Sequence, residues 1–288
     1  KVVFIDGEYV DEAEAKISVF DHGVLYGDGV FEGIRIYEKN VFRLAEHLER
    51  LWESAKAIDL VIPMTRAEMV EAVVETCRRN GLENGYVRLV ITRGVGDLGL
   101  TPYRCEKAVV FIIASDIRMY SDEAYQNGLA VITAAHRRVA SDTFSPRIKS
   151  LNYLNNIMAK INAIKCGVFE AIMLNREGYV LEATGDNIFI VKNNRLYTPP
   201  VYMGVLRGIT RDAVIELAKA ANYEVYEEPF TQFEVYTADE VFLTGTAAEV
   251  IPVKEVDSRV IGTGKPGPVT NKLIEKFRSI TKTDGVKL

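Results

Sequence analysis

The chain is poor in the residues that build metal centres and disulfide frameworks. Its 288 residues include three cysteines, Cys77, Cys105 and Cys166, and three histidines, His22, His47 and His136. No two cysteines are close in sequence, which argues against a disulfide scaffold or a zinc knuckle. No histidine has the acidic or cysteine spacing of a dedicated metal site. Cys77 falls near Val73 and Val74 on a predicted helix, where a buried thiol is expected. No uninterrupted apolar run is long enough to cross a bilayer, and the first residues carry no signal-peptide pattern. A cytoplasmic protein without a membrane partner is the resulting expectation. Neither sign of charge dominates: 35 Lys and Arg against 40 Asp and Glu give −5, which offers no stripe for nucleic acid. The opening strand is not followed by G-x-G-x-x-G, and G-x-x-x-x-G-K-[ST] is absent, so dinucleotide and P-loop readings lack support.

What is present is an ordinary globular balance, 48% hydrophobic and 26% charged, with enough chain for one large domain or two moderate ones. Strand signals occur at 2–5, 30–37, 86–93 and 107–114. Leu44, Leu48, Leu51, Trp52, Ala55 and Ile58 recur at helical spacing. A second helix is predicted over 66–80, opened by a Thr65/Glu68 capping box and stopped at Gly81. The polar stretch SDIRMYSDEAYQNG at 115–128 lies between strong β signals and marks the interdomain connection. The domains are therefore drawn as 1–120 and 129–288, with 121–128 as linker. In the second half a helix is predicted over 151–165, with Leu151, Leu154, Met158, Ile161 and Ile164 on one side. Strands are predicted at 129–135, 169–174, 179–192, 223–227 and 240–244, and helices at 211–221 and 269–280. The pattern is mixed α/β and lacks the regular alternation of a parallel (β/α)₈ barrel.

Several residues stand out chemically. Lys149, in RIKSLNYLNN, lies just before a periodic helix. A lone lysine is usually a solvated charge, but in a partly dry pocket it can lose its proton and form a Schiff base with a carbonyl. Tyr153, four residues later, can orient a phenolic oxygen. Glu182 breaks an apolar strand. Buried there, it needs a positive partner such as a protonated pyridine nitrogen; at a strand end it would simply face water, and the residues leave both readings open. In GVLRGITRDA, Gly208 precedes Ile209, Thr210 and a helix, so exposed amides and the Thr210 hydroxyl suit a phosphate, or merely a helix cap. Gly245, Thr246 and Ala247 can form a second anion nest. Arg50, on the polar side of the first long helix, can clamp phosphate oxygens or be a solvated arginine.

Seven segments in order carry a family resemblance across nearly the whole chain: YGDGVFEGIR (26–35), HLERL (47–51), YVRLVITRG (86–94), IKSLNYLNN (148–156), EATGDNIF (182–189), LRGITRD (206–212) and GTAAEV (245–250). The sequence resembles the fold-type IV pyridoxal phosphate (PLP) enzymes, most closely the branched-chain amino-acid aminotransferases. The resemblance implies a two-domain fold with a smaller N-terminal α/β domain and a larger C-terminal barrel-like domain. It implies pyridoxal 5'-phosphate as cofactor, amino acids and 2-oxo acids as substrates, and a homodimer or a higher homo-oligomer built from dimers. By the same resemblance Lys149 carries the cofactor and shuttles the substrate proton, Glu182 meets the pyridinium, and Tyr153 contacts the phenolic oxygen. Arg50, Ile209, Thr210 and Thr246 form the phosphate cup. The Thr246–Ala247 backbone receives the α-carboxylate, and Tyr26, Phe31, Gly33, Arg35 and Tyr86 line the pocket. Arg88 meets the distal carboxylate of glutamate or 2-oxoglutarate. The implied reaction moves the amino group of leucine, isoleucine or valine to 2-oxoglutarate. Lys149 and Tyr153 are four residues apart, whereas several branched-chain enzymes have an interval of five, and the KSLN sequence resembles the D-amino-acid aminotransferase branch. That enzyme, a PLP lyase of the same fold, and a noncatalytic PLP-binding protein are the alternatives.

Overall fold

The computed structural model describes residues 1–117 and 119–288. Two compact units emerge. The first takes Lys1–Ile117, Ile148–Asn152 and Thr281–Leu288; the second takes Arg118–Arg147 and Tyr153–Ile280. The polar stretch leads one to expect a single cut at 121–128. Instead the chain returns twice to the first unit, and Asp122–Asn127 is a helix capped by Ser121. The returns are held by pairings that local polarity does not encode. Ser150 bridges Val30, the Leu151 amide donates to the Gly29 carbonyl, and Gly285–Lys287 pairs with Asn40–Phe42.

In the first unit the chain runs β1 (Val2–Ile5), β2 (Glu8–Asp11), α1 (His22–Tyr26), β3 (Gly29–Tyr37), β4 (Asn40–Phe42), α2 (Leu44–Ala57), α3 (Arg66–Arg79), β5 (Gly85–Thr92) and β6 (Val109–Ser115). With the C-terminal strand it builds a seven-stranded sheet in the order C-terminal strand, β4, β3, β5, β6, β1, β2. Every pairing in it is antiparallel. Alternation along β3 sends Val30, Ile34 and Ile36 into a core shared with Leu44, Leu48 and Leu51 of α2 and Met69, Val73 and Cys77 of α3. α3 begins as its sequence demands. Thr65 Oγ1 accepts from the Glu68 amide, and the Glu68 carboxylate accepts from the Thr65 amide.

The second unit contains α4 (Asp122–Asn127), β7 (Leu129–Thr133), α5 (Leu154–Lys165), β8 (Glu170–Leu174), β9 (Val180–Ala183), β10 (Asn187–Lys192), β11 (Arg195–Thr198), α6 (Ile209–Ala220), β12 (Val225–Glu227), α7 (Gln232–Tyr236), β13 (Glu240–Gly245), β14 (Glu249–Val256), β15 (Arg259–Val260) and α8 (Pro268–Ile280). The sheet runs β12-β11-β10-β13-β14-β7-β8-β9, and β9 meets β10 again through Glu182 and Asn187. That last pairing closes the sheet on itself and makes it barrel-like. The single strand expected over 179–192 is two strands, turned at Thr184–Asp186, so Glu182 lies beside a bend rather than in mid-strand. β14, an eight-residue strand, is hard to read because Pro252, Lys254 and Glu255 interrupt its apolar pattern.

The apolar side of α5 departs most from expectation. Its buried residues are Asn156, Ala159 and Ala163, whereas Leu154, Ile157, Met158, Ile161 and Ile164 are exposed. The small residues face β8 and the large apolar ones face outward, the reverse of an ordinary surface helix.

Candidate active site

In the first unit, strand register gathers the candidate pocket residues. Gly33 pairs with Arg88 and Arg35 with Tyr86, and Phe31 is two residues from Gly33. The period of two therefore places Phe31, Gly33, Arg35, Tyr86 and Arg88 on one face of the β3–β5 pair. The Arg88 guanidinium carbon is 4.5 Å from the Phe31 ring centroid, and Arg88 Nη2 is 3.4 Å from the Tyr86 hydroxyl. Gly33 makes room for this arrangement, since a Cβ there would lie 1.8 Å from Tyr86 Oη. Arg35 instead stacks on Tyr37, at 4.9 Å. Tyr26, at the end of α1, is partly exposed and donates to the Leu98 carbonyl at 2.5 Å.

Lys149 belongs to the same unit. Its amide donates to Ser54 Oγ on α2 at 3.1 Å, and its carbonyl accepts from the Phe31 amide at 3.0 Å. This pins the backbone of a residue outside any helix or strand. Lys149 Nζ sits 4.7 Å from the Phe31 centroid, so one aromatic ring has both the amine and the Arg88 guanidinium as cationic neighbours.

Arg50 is not on a solvated face. It is buried with Glu32 and His47. Arg50 Nε donates to Glu32 Oε1 at 2.7 Å and Nη2 to Oε2 at 2.8 Å, while His47 Nδ1 lies 2.7 Å from Oε2. Burial would raise the Glu32 pKa, but the Arg50 charge, with His47 and the bonds from both, holds it well below the usual carboxylate range. Burial lowers the His47 pKa despite Glu32. Sequence reading missed Glu32 and His47, although a signal exists. Glu32 occupies an inward position in the series Val30, Ile34, Ile36, and a charge there needs a buried partner. His47 and Arg50, three apart, supply it.

In the second unit, Glu182 is buried. Its Oε1 accepts from Arg138 Nε at 2.9 Å, and its Oε2 from the Leu206 amide at 3.0 Å. The reading of Glu182 as a water-facing strand end is thereby excluded. Asn187 ties this carboxylate to the LRGIT segment, since its Nδ2 donates to the Leu206 carbonyl at 2.9 Å. A Cβ on Gly208 would come within 2.0 Å of Asn187 Oδ1, so a larger residue there would displace the Asn187 side chain. Gly208 caps α6 without a side-chain hydrogen bond, and Ile209 and Thr210 open the helix. Thr246 and Ala247 occupy the three-residue turn between β13 and β14, whose register also sets Asn187 opposite Thr244. Tyr153 is the N-cap residue of α5. Each unit thus collects a part of the expected set.

The donor chemistry fits pyridoxal phosphate. Lys149 offers a primary amine on a pinned backbone, Glu182 a buried carboxylate, and the start of the twelve-residue α6 a set of amides and the Thr210 hydroxyl for phosphate.

Comparison with known proteins agrees with this chemistry. Residues 29–256 match the family described as amino-transferase class IV, and the chain belongs to that family. A Methanocaldococcus jannaschii protein, named provisionally as a branched-chain-amino-acid aminotransferase, is 54% identical over 99% of this chain and 98% of its own. The crystal structure of the Escherichia coli branched-chain amino acid aminotransferase superposes with a TM-score of 0.95 at 36% identity, covering 99% of this chain and 96% of that one. The branched-chain amino acid aminotransferase of Thermobaculum terrenum, solved in its PLP-bound holo form, gives 0.89 at 30% identity, covering 99% and 94%. The two-unit mixed α/β fold with a barrel-like sheet is the architecture of the family. No helix among the described residues is long and apolar enough to cross a membrane.

Proposed function

We propose that this chain is a PLP-dependent branched-chain L-amino-acid aminotransferase, moving the amino group of leucine, isoleucine or valine to 2-oxoglutarate. The observation that carries the reading is the Phe31 ring, with the Lys149 amine at 4.7 Å and the Arg88 guanidinium at 4.5 Å. A proton-transfer group and a carboxylate receptor thus flank one apolar surface. Bound pyridoxal phosphate supplies an electron sink for the pair left on the α-carbon and a carrier for the amino group.

The chain's own residues do the rest. Lys149 Nζ takes the α-proton as a base and, as the ammonium, gives it back as an acid; its pinned backbone keeps that transfer short. Glu182 holds the proton on the pyridine nitrogen. Thr210, the Ile209 amide, Thr246 and Arg50 bind phosphate. The Thr246–Ala247 turn receives the α-carboxylate, and Tyr153 orients the phenolic oxygen. Tyr26, Phe31, Gly33, Arg35 and Tyr86 shape the side-chain pocket. Arg88 receives the distal carboxylate of glutamate through paired N–H donors. One methylene in an apolar pocket changes discrimination by only about 1–3 kcal/mol, so all three branched amino acids are substrates.

The protein works as a homodimer or a higher assembly of dimers, a reading supported by the exposed apolar stripe of α5. A cytoplasmic setting belongs to the same proposal and accords with three free cysteines. A half-reaction panel with both enantiomers of leucine, valine, isoleucine, glutamate and alanine tests the function. Keto products from the L-branched amino acids and L-glutamate support it; products from D-enantiomers alone, or no keto product from any L-branched amino acid, overturn it.

A further inference from the structure

Arg138 was not singled out by sequence, yet it makes the strongest contacts to Glu182. Its Nε and Nη2 both lie 2.9 Å from the same oxygen, Oε1, and the two side chains are 9% and 6% exposed. Arg138 is itself fixed. Its amide donates to the Leu174 carbonyl, and its Nη1 donates to Asn156 Oδ1 at 2.6 Å. Asn156 in turn donates from Nδ2 to the Thr184 carbonyl at 2.8 Å, just past Glu182 on the chain. The arginine is therefore braced from β8, from α5 and from the turn after β9.

We propose that Arg138 is a positioning residue for the pyridine-nitrogen carboxylate, fixing Glu182 through Oε1 so that Oε2 serves the ring proton. The inference rests on the role given above to Glu182. Two N–H groups on Oε1 occupy the acceptor directions of that oxygen. Oε2 has the longer contacts, 3.0 Å from the Leu206 amide and 3.4 Å from Asn187 Nδ2. A buried carboxylate without its cation loses both its anchor and its charge compensation. A displaced Glu182 cannot hold the pyridine nitrogen protonated, and the electron sink weakens without any loss of substrate contacts. Leu206 extends the same body toward α6, so displacement of Glu182 is felt at the phosphate-binding helix start as well.

The test uses the full chain loaded with pyridoxal phosphate carrying ¹⁵N in its ring, read by the nitrogen chemical shift across pH. The unmodified protein should show a protonated nitrogen at neutral pH. Arg138→Met should shift the signal toward neutral pyridine and slow α-proton removal from L-leucine by roughly 10- to 100-fold, the range for loss of an outer partner that orients a functional ligand. Arg138→Lys, which keeps the charge, should restore most of the nitrogen signal. In Glu182→Gln the further change Arg138→Met should add little, because the arginine acts through the glutamate; that pair also avoids a lone buried charge should the single variant fold poorly. A protonated nitrogen in Arg138→Met alongside a shifted one in Glu182→Gln would overturn the inference about Arg138 alone. An unshifted nitrogen in Glu182→Gln would overturn the reading of Glu182 beneath it.

Discussion

In the proposed reaction Arg88 is the residue on which dual substrate recognition turns. It lies over Phe31 and beside Tyr86, on a face that otherwise suits aliphatic side chains. Replacing it with leucine should damage the glutamate half-reaction by at least about tenfold more than the leucine half-reaction, since a charge-assisted pair contributes on the order of 1.5–3 kcal/mol. Single-turnover assays on fully loaded Arg88→Leu would show this; equal losses with both substrates would refute it. Glu32 behaves differently. Replacing it with alanine leaves Arg50 buried without its carboxylate, at a cost of about 3–5 kcal/mol. Denaturant unfolding of Glu32→Ala should register that loss, and a change below about 1 kcal/mol would contradict it. Residues such as Arg88 are picked out in sequence because they belong to a motif. Glu32 and Arg138 are less so: their partners lie 15–18 and 44 positions away, and only the fold brings them together.

At the scale of elements, the sequence was most readable where one stretch contains its own boundary signals. Thr65, Glu68 and Gly81 delimit α3 to within a residue of the expected 66–80. It was least readable where pairing is non-local, as in the return of 148–152 to β3 and the break between β9 and β10. α5 shows a third case. Its helical period was plain, but period alone does not say which neighbour an apolar side meets. Leu154, Ile157, Ile161 and Ile164 are exposed, and in the proposed homo-oligomer their neighbour is another copy of the chain. Changing Ile157 and Ile161 together to lysine should leave protomer stability within about 0.5 kcal/mol per exposed site and lower the assembly mass in sedimentation velocity. An unchanged mass would remove α5 from the interface. Thr65→Ala, which deletes one half of the capping box, should cost about 1 kcal/mol in thermal or denaturant unfolding.

For the whole molecule, buried titrating groups set the pH range of stability. Glu32 is held below its ordinary 4.5 chiefly by Arg50 against the opposing effect of burial, and burial holds His47 below its ordinary 6.5. Both groups bind protons more readily in the unfolded chain. Their stabilisation is present above those ordinary values and is lost as pH falls below them toward the folded-state values. Cys77 acts in the opposite sense: burial pushes its thiol from 9.0 up to about 12, so its contribution is present below 9 and is lost as pH rises toward 12. Unfolding of the loaded protein should therefore show a plateau between about 6.5 and 9. The acid limb should be shallower in Glu32→Gln, and an acid limb of unchanged slope would assign the effect to other groups.

The path of the amino nitrogen separates transfer from release. The loaded enzyme can be given ¹⁵N-labelled L-leucine and unlabelled 2-oxoglutarate, with the products followed by mass spectrometry. The expected result is label in L-glutamate, an equal amount of the branched 2-oxo acid, no free labelled ammonia, and no turnover in Lys149→Ala. Labelled ammonia without labelled glutamate, or sustained transfer in Lys149→Ala, would contradict the assignment.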